Sequence, residues 1–287
     1  MQSKYGITHT DGPVMELTTM VGCPLMCTFC PQDNLRTEYG DKTKYMQLDD
    51  LHTVLKKLPS NTRIDFSGMS EPWANPACTD MLRLTLDMGF PIAIYSTLYG
   101  MTDPEVVRDL LESHKKQVQV LTLHLPDANG NMKGWKLSDE WIHALKTLSY
   151  AKLGVQIDAM TMDRNGVVHP SLQDLVPKLN GWVGHTRADS LNLEQIKNQF
   201  IKITPRNEFA LTCASTPFFD RNVLLPNGDV VLCCMDYDLK HIIGNLLEQT
   251  YEEMMQGEKL AEIIKWNEEP NFNKCSICKS CDNVRTI

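Results

Sequence analysis

The chain has 287 residues, 42% of them hydrophobic, enough to bury one large core or one core with a small satellite domain. A formal charge of -8 and 28 scattered basic residues give no electrostatic footprint for a nucleic-acid backbone. No run approaches the roughly 20 apolar residues of a membrane span, and the opening MQSKYGITHTDG has no apolar signal core, so a cytoplasmic protein with no nucleic-acid or membrane partner is expected.

In chain order, strands are expected at 14-20, 63-69, 90-97, 118-125, 153-162 and 188-194. Helical patterns fall near 48-58, 77-88, 103-115, 138-152 and 170-180, with Asp49, Thr102 and Ser138 as capping residues. Six strands alternating with helices imply a parallel sheet with right-handed crossovers. The strands do not read as the continuous apolar runs of a sheet covered on both faces. Polar residues recur at every second place: Thr18, then Asp65 and Ser67, Thr122 and His124, Gln156 and Asp158, and Ser190, Asn192 and Glu194. Buried polar side chains need partners. The expected fold is therefore α/β, a partial (β/α)6 TIM-like barrel with a wet, ligand-holding lumen and helices outside. Single members of that polar line could equally be strand ends facing water.

After KITPRNEFALTC the βα rhythm stops, and VLLPNGDVVLCCMDYD (223-238) reads as a hairpin turned at Asn227-Gly228, followed by a loop and a helix. This divides the chain into an N-terminal extension over 1-13, a barrel over 14-205 and a small cysteine-rich domain over 206-287.

The cysteines carry the chemistry. In the cytoplasm clustered thiols mean metal or redox sites more often than disulfides. Cys23, Cys27 and Cys30 stand at C-x3-C-x2-C spacing with no nearby Cys or His to complete a closed zinc site. Three thiolates can instead hold three irons of a [4Fe-4S] cube, leaving one iron open. Their loop directly follows the first strand, at the C-terminal mouth of the sheet, where such folds place their chemistry. Cys78, in NPACTD, reads as an ordinary structural thiol.

With Phe29 in its aromatic place, the triplet resembles the signature of the radical S-adenosylmethionine (SAM) superfamily. FSGMSEPWANP (66-76) is similar to that family's Gly-Gly-Glu-Pro segment, with Ser70 in place of the second glycine. The resemblance implies that Gly68, Met69 and Ser70 meet the SAM amino group by backbone carbonyls, with Glu71 in support. It also makes Ser96 and Thr97 candidates for the SAM ribose or carboxylate, and Val155 and Ile157 candidates for an adenine pocket. Val155 and Ile157 are equally plausible as core. Asn192 joins the cofactor-binding set. His124 is a SAM or substrate contact or a structural histidine. The family uses SAM, chelated at the open iron, to generate a 5'-deoxyadenosyl radical that takes a hydrogen atom from an unactivated C-H bond.

The order Cys213, Gly228, Cys233, the IGNL stretch and the terminal CSICKSC resembles the SPASM or Twitch extension of the same superfamily, which carries auxiliary iron-sulfur clusters. The tail has six cysteines against the seven of a full two-cluster SPASM domain, so one auxiliary [4Fe-4S] cluster is expected. The resemblance points to Cys213, Cys233, Cys275 and Cys278 as ligands, with Cys281 able to replace a neighbour. Two clusters recruiting Cys234, or a zinc ribbon, remain alternatives.

Three functions follow from the resemblance. The first is two-electron oxidation of a small molecule, with Asp158, Glu194 or His124 as the base in the lumen. The second is peptide maturation with a separate leader-binding partner, since about fourteen residues precede the first strand. The third, outside catalysis, is an iron-sulfur scaffold or electron carrier, against which SGMSEP argues. An enzyme of this kind takes electrons from a donor such as a flavodoxin or ferredoxin.

Overall fold

The structure, a computed structural model, describes residues 12-149, 154-161, 163, 165-176, 180-181, 187-188, 190-191, 209-270 and 276-286. Through five strands the expected alternation is present: β1 (Val14–Leu17), α1 (Gln32–Tyr39), α2 (Leu48–Leu55), β2 (Arg63–Phe66), α3 (Cys78–Asp87), β3 (Ile92–Ser96), α4 (Pro104–Ser113), β4 (Val118–Leu125), α5 (Asp139–Ser149) and β5 (Ile157–Thr161). Each outer helix turns one stripe inward. In α5, Trp141, Ala144, Leu145 and Leu148 are buried at helical spacing, and Ser138 Oγ accepts the Trp141 N–H at 3.2 Å as a cap. The other two expected caps are displaced. Asp103, with Pro104 behind it, precedes α4 and leaves Thr102 outside. Gln47 precedes α2, so Asp49 sits in the first turn, where its charge suits the helix dipole. The short helix α1 was not among the expected ones; it buries only Gln32, Leu35 and Tyr39 and is otherwise polar.

Beyond β5 the structure departs from expectation. Of the helix expected over 170-180, the described residues 170-176 form a 3-10 turn, Pro170–Leu172, and a following turn. The run also contains Pro177, and proline inside a helix removes a hydrogen bond and clashes with the preceding turn. The sixth strand is β6 (Asn180–Gly181), parallel to β5, not 188-194. Arg187 and Ala188 both have φ 51°, a left-handed conformation that no strand accommodates, and Ser190 lies in a turn. Asn192 and Glu194 lie outside the described residues.

The C-terminal region contributes β7 (Leu211–Cys213), β8 (Arg221–Leu224), β9 (Asp229–Val231), β10 (Ile242–Asn245), α6 (Tyr251–Met255), α7 (Glu258–Glu268) and β11 (Val284–Thr286). The hairpin is β8-β9, turned at Gly228 (φ 85°). Sheet order is β10-β9-β8-β1-β2-β3-β4-β5-β6, with β1 to β6 parallel and the sheet not closed among the described residues. Strand β8 pairs in parallel with β1 from Val14↔Arg221 to Leu17↔Leu224, so the C-terminal hairpin extends the barrel sheet beyond its first strand. A two-stranded sheet, β11-β7, stands apart.

One face of the main sheet is the hydrophobic core, where Met15, Leu17, Ile64, Phe66, Ile92, Ile94, Leu121, Leu123 and Leu125 meet the helices. Register places the polar line on the other face. Glu16 stands beside Asp65, Tyr95 beside Thr122 and Thr122 beside Asp158, while His124 neighbours Met160.

Candidate active site

The cysteine loop leaves β1 at the C-terminal end of the sheet, and Cys23, Cys27 and Cys30 line one cavity of about 630 Å³. Two clamps hold the loop. On one side the segment after β4 pairs with it: Thr28 N donates to Asn131 O, Thr28 Oγ1 bonds Asn131 Oδ1 at 2.7 Å, and Gly134 N donates to Leu25 O at 2.7 Å. Phe29 is buried there against Met132 and Leu191. On the other side the buried Gln32 accepts from Cys23 N and donates to Met69 O at 2.6 Å, tying the cysteine loop to the SGMSEP turn. Tyr237 Oη donates to Cys30 Sγ at 3.8 Å. Burial pushes the Cys23 thiol up to about 12 and raises Cys27 as well, with neighbouring thiols adding to Cys27. Iron held here would supply the positive charge that deprotonation of these thiols needs.

The SGMSEP turn closes β2 against β1. Gly68 has φ 60°, and a Cβ there would sit 2.5 Å from Thr18 Oγ1, which accepts the Met69 N–H. Only glycine meets both demands. Glu71 is buried and fully engaged: Oε1 accepts from Ser96 Oγ at 2.7 Å and from Trp73 N, while Oε2 accepts from Thr97 N and Thr97 Oγ1, both at 2.7 Å. Burial raises its carboxyl despite these bonds. Glu71 thus acts as a strut between the turn and β3. Ser96 and Thr97 spend their hydroxyls on it; Thr97 lines the cavity and Ser96 does not.

The residues fit an iron-sulfur cube with one open iron and SAM as its partner. Three thiols converge on one cavity, and Ser70 Oγ on the same wall is buried with no hydrogen-bond partner, a vacancy a polar ligand fills.

A second cavity, about 690 Å³, is lined by Cys213 from β7, Cys233 and Cys234 after β9, and Cys278 and Cys281 from the terminal 3-10 turn, Ile277–Ser280, and its end. Five thiols thus face this cavity, four of them, Cys213, Cys233, Cys278 and Cys281, at positions matched to the sequence pattern or next to it. Four thiolates complete a [4Fe-4S] cube. Cys234 lines the same cavity, as does Glu16. Cys275 lies outside the described residues.

The remaining expected residues disperse. His124 lines the first cavity, 6.2 Å from the Tyr95 ring, and burial drops its imidazole to about 4. Asp158 shares its sheet face but is exposed, bonded by Gln156, and lines neither of these cavities. Val155 and Ile157 pack against the main core, away from both. Sequence reasoning missed Glu16, Gln32, Arg187 and Tyr237. Arg187 stacks its guanidinium 5.3 Å from the Tyr237 ring centroid and donates to Cys234 O, bridging the two cysteine regions. Glu16 has the same strand parity as Thr18, which was the available signal; Arg187, in a turn, had none.

Comparison with known proteins agrees with this arrangement. Residues 213-282 match the SPASM model, described as an iron-sulfur cluster-binding domain. A stretch of 57 residues is 32% identical to the S-adenosyl-L-methionine-dependent 2-deoxy-scyllo-inosamine dehydrogenase of Niallia circulans, covering 20% of this chain and only 23% of that protein. Among solved structures, BtrN in complex with AdoMet and 2-DOIA is similar over 96% of this chain and 95% of its own, at 18% identity and TM-score 0.60. Native anSMEcpe with bound AdoMet and Cp18Cys peptide matches 94% of this chain and 86% of its own, at 15% identity and TM-score 0.54. The C-terminal region thus matches an iron-sulfur cluster-binding domain, and the solved structures share the fold of the chain over nearly its whole length.

Proposed function

We propose that the chain oxidises a small hydroxylated molecule by two electrons. The observation that supports this reading is the pair of cysteine-lined cavities, the first with three thiols and the second with five. When bound, SAM and its cluster supply a 5'-deoxyadenosyl radical for hydrogen-atom abstraction, and the auxiliary cluster supplies a one-electron sink. Cys23, Cys27 and Cys30 would hold the first cluster, the Gly68–Ser70 turn would meet SAM, and Cys213, Cys233, Cys278 and Cys281 would hold the second. Phe29, Met132 and Leu191 shut solvent out behind the cysteine loop. His124, neutral at ordinary pH, serves as a hydrogen-bond partner and not as a cation.

The stretch shared with the Niallia circulans dehydrogenase makes an aminocyclitol the first substrate class to test. A low-potential flavodoxin or ferredoxin would be the physiological reductant. Anaerobic incubation with SAM, dithionite and 2-deoxy-scyllo-inosamine or related aminocyclitols should give 5'-deoxyadenosine together with a ketone two mass units lighter than the probe. The likeness to anSMEcpe with a bound peptide supports a second reading. Modification of serine- or cysteine-containing peptides with no aminocyclitol product would establish that maturase reading and end the first.

A further inference from the structure

Arg187 is the one cation among the described residues that line the cavity of the cysteine triplet. Its backbone is left-handed, φ 51°, as is that of Ala188 after it, a conformation that a residue other than glycine adopts at a cost. The guanidinium lies 5.3 Å from the Tyr237 ring centroid, and its Nη1 donates to Cys234 O at 3.2 Å. Its Nε is shut off from solvent and has no hydrogen-bond partner. The ion pairs among the described residues all lie elsewhere. Glu71, the acidic side chain on the same cavity wall, has both oxygens engaged by Ser96, Thr97 and Trp73. Glu16, whose charge also reaches the guanidinium, lines the other cavity and accepts from Ser67.

A guanidinium withdrawn from water without an ion pair is costly, and an anion brought to it offsets that cost. Its planar fork of donors, already oriented by the Tyr237 ring, matches the paired oxygens of a carboxylate or phosphate. Resting on the oxidation reading above, we propose that Arg187 binds an oxyanion carried by the substrate, so that the hydroxylated molecule oxidised here also bears a carboxylate or a phosphate. Ser67, Tyr95 and His124 line the same cavity and offer hydrogen bonds to its hydroxyls. An aminocyclitol remains the probe that the sequence likeness suggests, but a cationic amine brought toward this wall is repelled, which ranks it behind an anionic relative of the same ring.

The test uses the holoprotein reconstituted with both clusters and saturated with SAM. Anaerobic titration calorimetry compares neutral myo-inositol with myo-inositol 1-phosphate, glucuronate and 2-deoxy-scyllo-inosamine. The better of the two oxyanions should bind about 10- to 100-fold more tightly than myo-inositol, and the pair reports whether phosphate or carboxylate is preferred. Arg187→Gln should bring the oxyanions down to the level of myo-inositol, and Arg187→Lys, a charge without the fork, should keep part of the preference. Affinity for SAM, measured without a polyol, should not move. Equal binding of charged and neutral probes by the wild type overturns the assignment, as does a preference that survives Arg187→Gln with both clusters intact. Weakened SAM binding with that preference retained gives the guanidinium to the SAM carboxylate instead and overturns it too. If Arg187→Gln loses its clusters, the wild-type preference and its reduction in Arg187→Lys decide the matter. Product analysis keeps the two readings apart. An oxyanion that binds through Arg187 but yields no ketone while 5'-deoxyadenosine forms supports the anion site and tells against the oxidation reading. Oxidation of the amine-bearing cyclitol with equal efficiency by wild type and Arg187→Gln overturns the anion site and leaves the oxidation reading standing.

Discussion

The two cysteine sites are built on opposite plans. Three thiols of the first come from one short loop, held by backbone and side-chain hydrogen bonds from Gln32, Asn131 and Gly134. Five thiols of the second come from β7, the turn after β9 and the terminal 3-10 turn with its end, brought together only when the whole region folds. A loop preset by its own clamps can hold a cluster with one iron left open for a ligand. A site drawn from three distant elements is closed, and a cluster held there would become a cross-link of the fold that carries it. The first plan suits chemistry at the iron; the second suits storing an electron and holding a domain.

That contrast is broken most directly at the first site. Replacing Cys23, Cys27 and Cys30 together by alanine should remove about four irons per chain, because a cube without thiolate anchors dissociates, and should abolish 5'-deoxyadenosine formation while the C-terminal cluster stays. Iron analysis and product chromatography check both. Persisting reductive cleavage of SAM would remove the basis for assigning the first site.

The second site should respond differently. Cys281→Ala should lose the auxiliary cluster and depress oxidised product sharply, yet spare 5'-deoxyadenosine, whereas Cys275→Ala should retain the auxiliary iron if the four described thiols are the ligand set. Loss of cluster in Cys275→Ala but not in Cys281→Ala would reverse the assignment. Because the cluster cross-links three elements, the Cys281 variant should also be visibly less resistant to proteolysis in its C-terminal region.

Much of this was legible in the sequence, and the reasons differ by residue. The triplet and the hairpin at Asn227-Gly228 are local patterns, so spacing alone reports them. The first five strands are legible because side-chain alternation survives in each. The strand expected at 188-194 was misplaced: Asn180–Gly181 is too short to show a period, while 188-194 alternates yet its described residues Ala188, Ser190 and Leu191 stand in turns and a bend, Ala188 with a left-handed backbone. Among the terminal cysteines, the convergence of Cys278 and Cys281 on Cys213 depends on how the tail folds back on β7, a long-range matter that spacing does not encode; Cys275 lies outside the described residues. Glu71 was legible as a motif member and not as a strut, since its partners lie on another strand.

A smaller effect separates the groups lining the sheet's polar face by pH. His124 falls from 6.5 unfolded to about 4 folded. Between those values the unfolded state binds more protons, so this contribution to stability is complete above 6.5 and is lost as pH falls through the window, by about 3 kcal/mol at most. Glu16 runs the other way, raised from 4.5 to about 7, so its contribution is complete at acid pH and is lost as pH rises through that interval. In wild-type protein the two trends oppose each other between about 4.5 and 6.5. Denaturant unfolding across that range should show His124→Gln losing stability as pH rises and Glu16→Gln gaining it. Parallel slopes in the two variants would mean that neither group is shielded from solvent as described.

The smallest expected effect tests whether the two regions are separate folding units at all. Helix α6 begins with a capping box: Thr250 Oγ1 accepts the Glu253 N–H at 3.2 Å, and Glu253 Oε2 accepts the Thr250 N–H at 2.8 Å. Thr250→Ala removes one half of that exchange and should cost about 1 kcal/mol, far from either cavity. The helix anchors Met254, which is fully buried in the same core as Met15 and Leu17 of β1. Strand β8 of the C-terminal region is hydrogen-bonded to β1 along its whole length. If core and sheet are shared in this way, the lost cap should lower one common unfolding transition by about 2 °C, and the tryptophans on either side of the sequence boundary, Trp141 and Trp266, should report it together. A variant in which the Trp266 signal melts earlier while Trp141 is unmoved would show that the C-terminal region unfolds by itself. The auxiliary cluster would then stabilise only its own domain, and the continuity of the sheet would not extend to cooperativity.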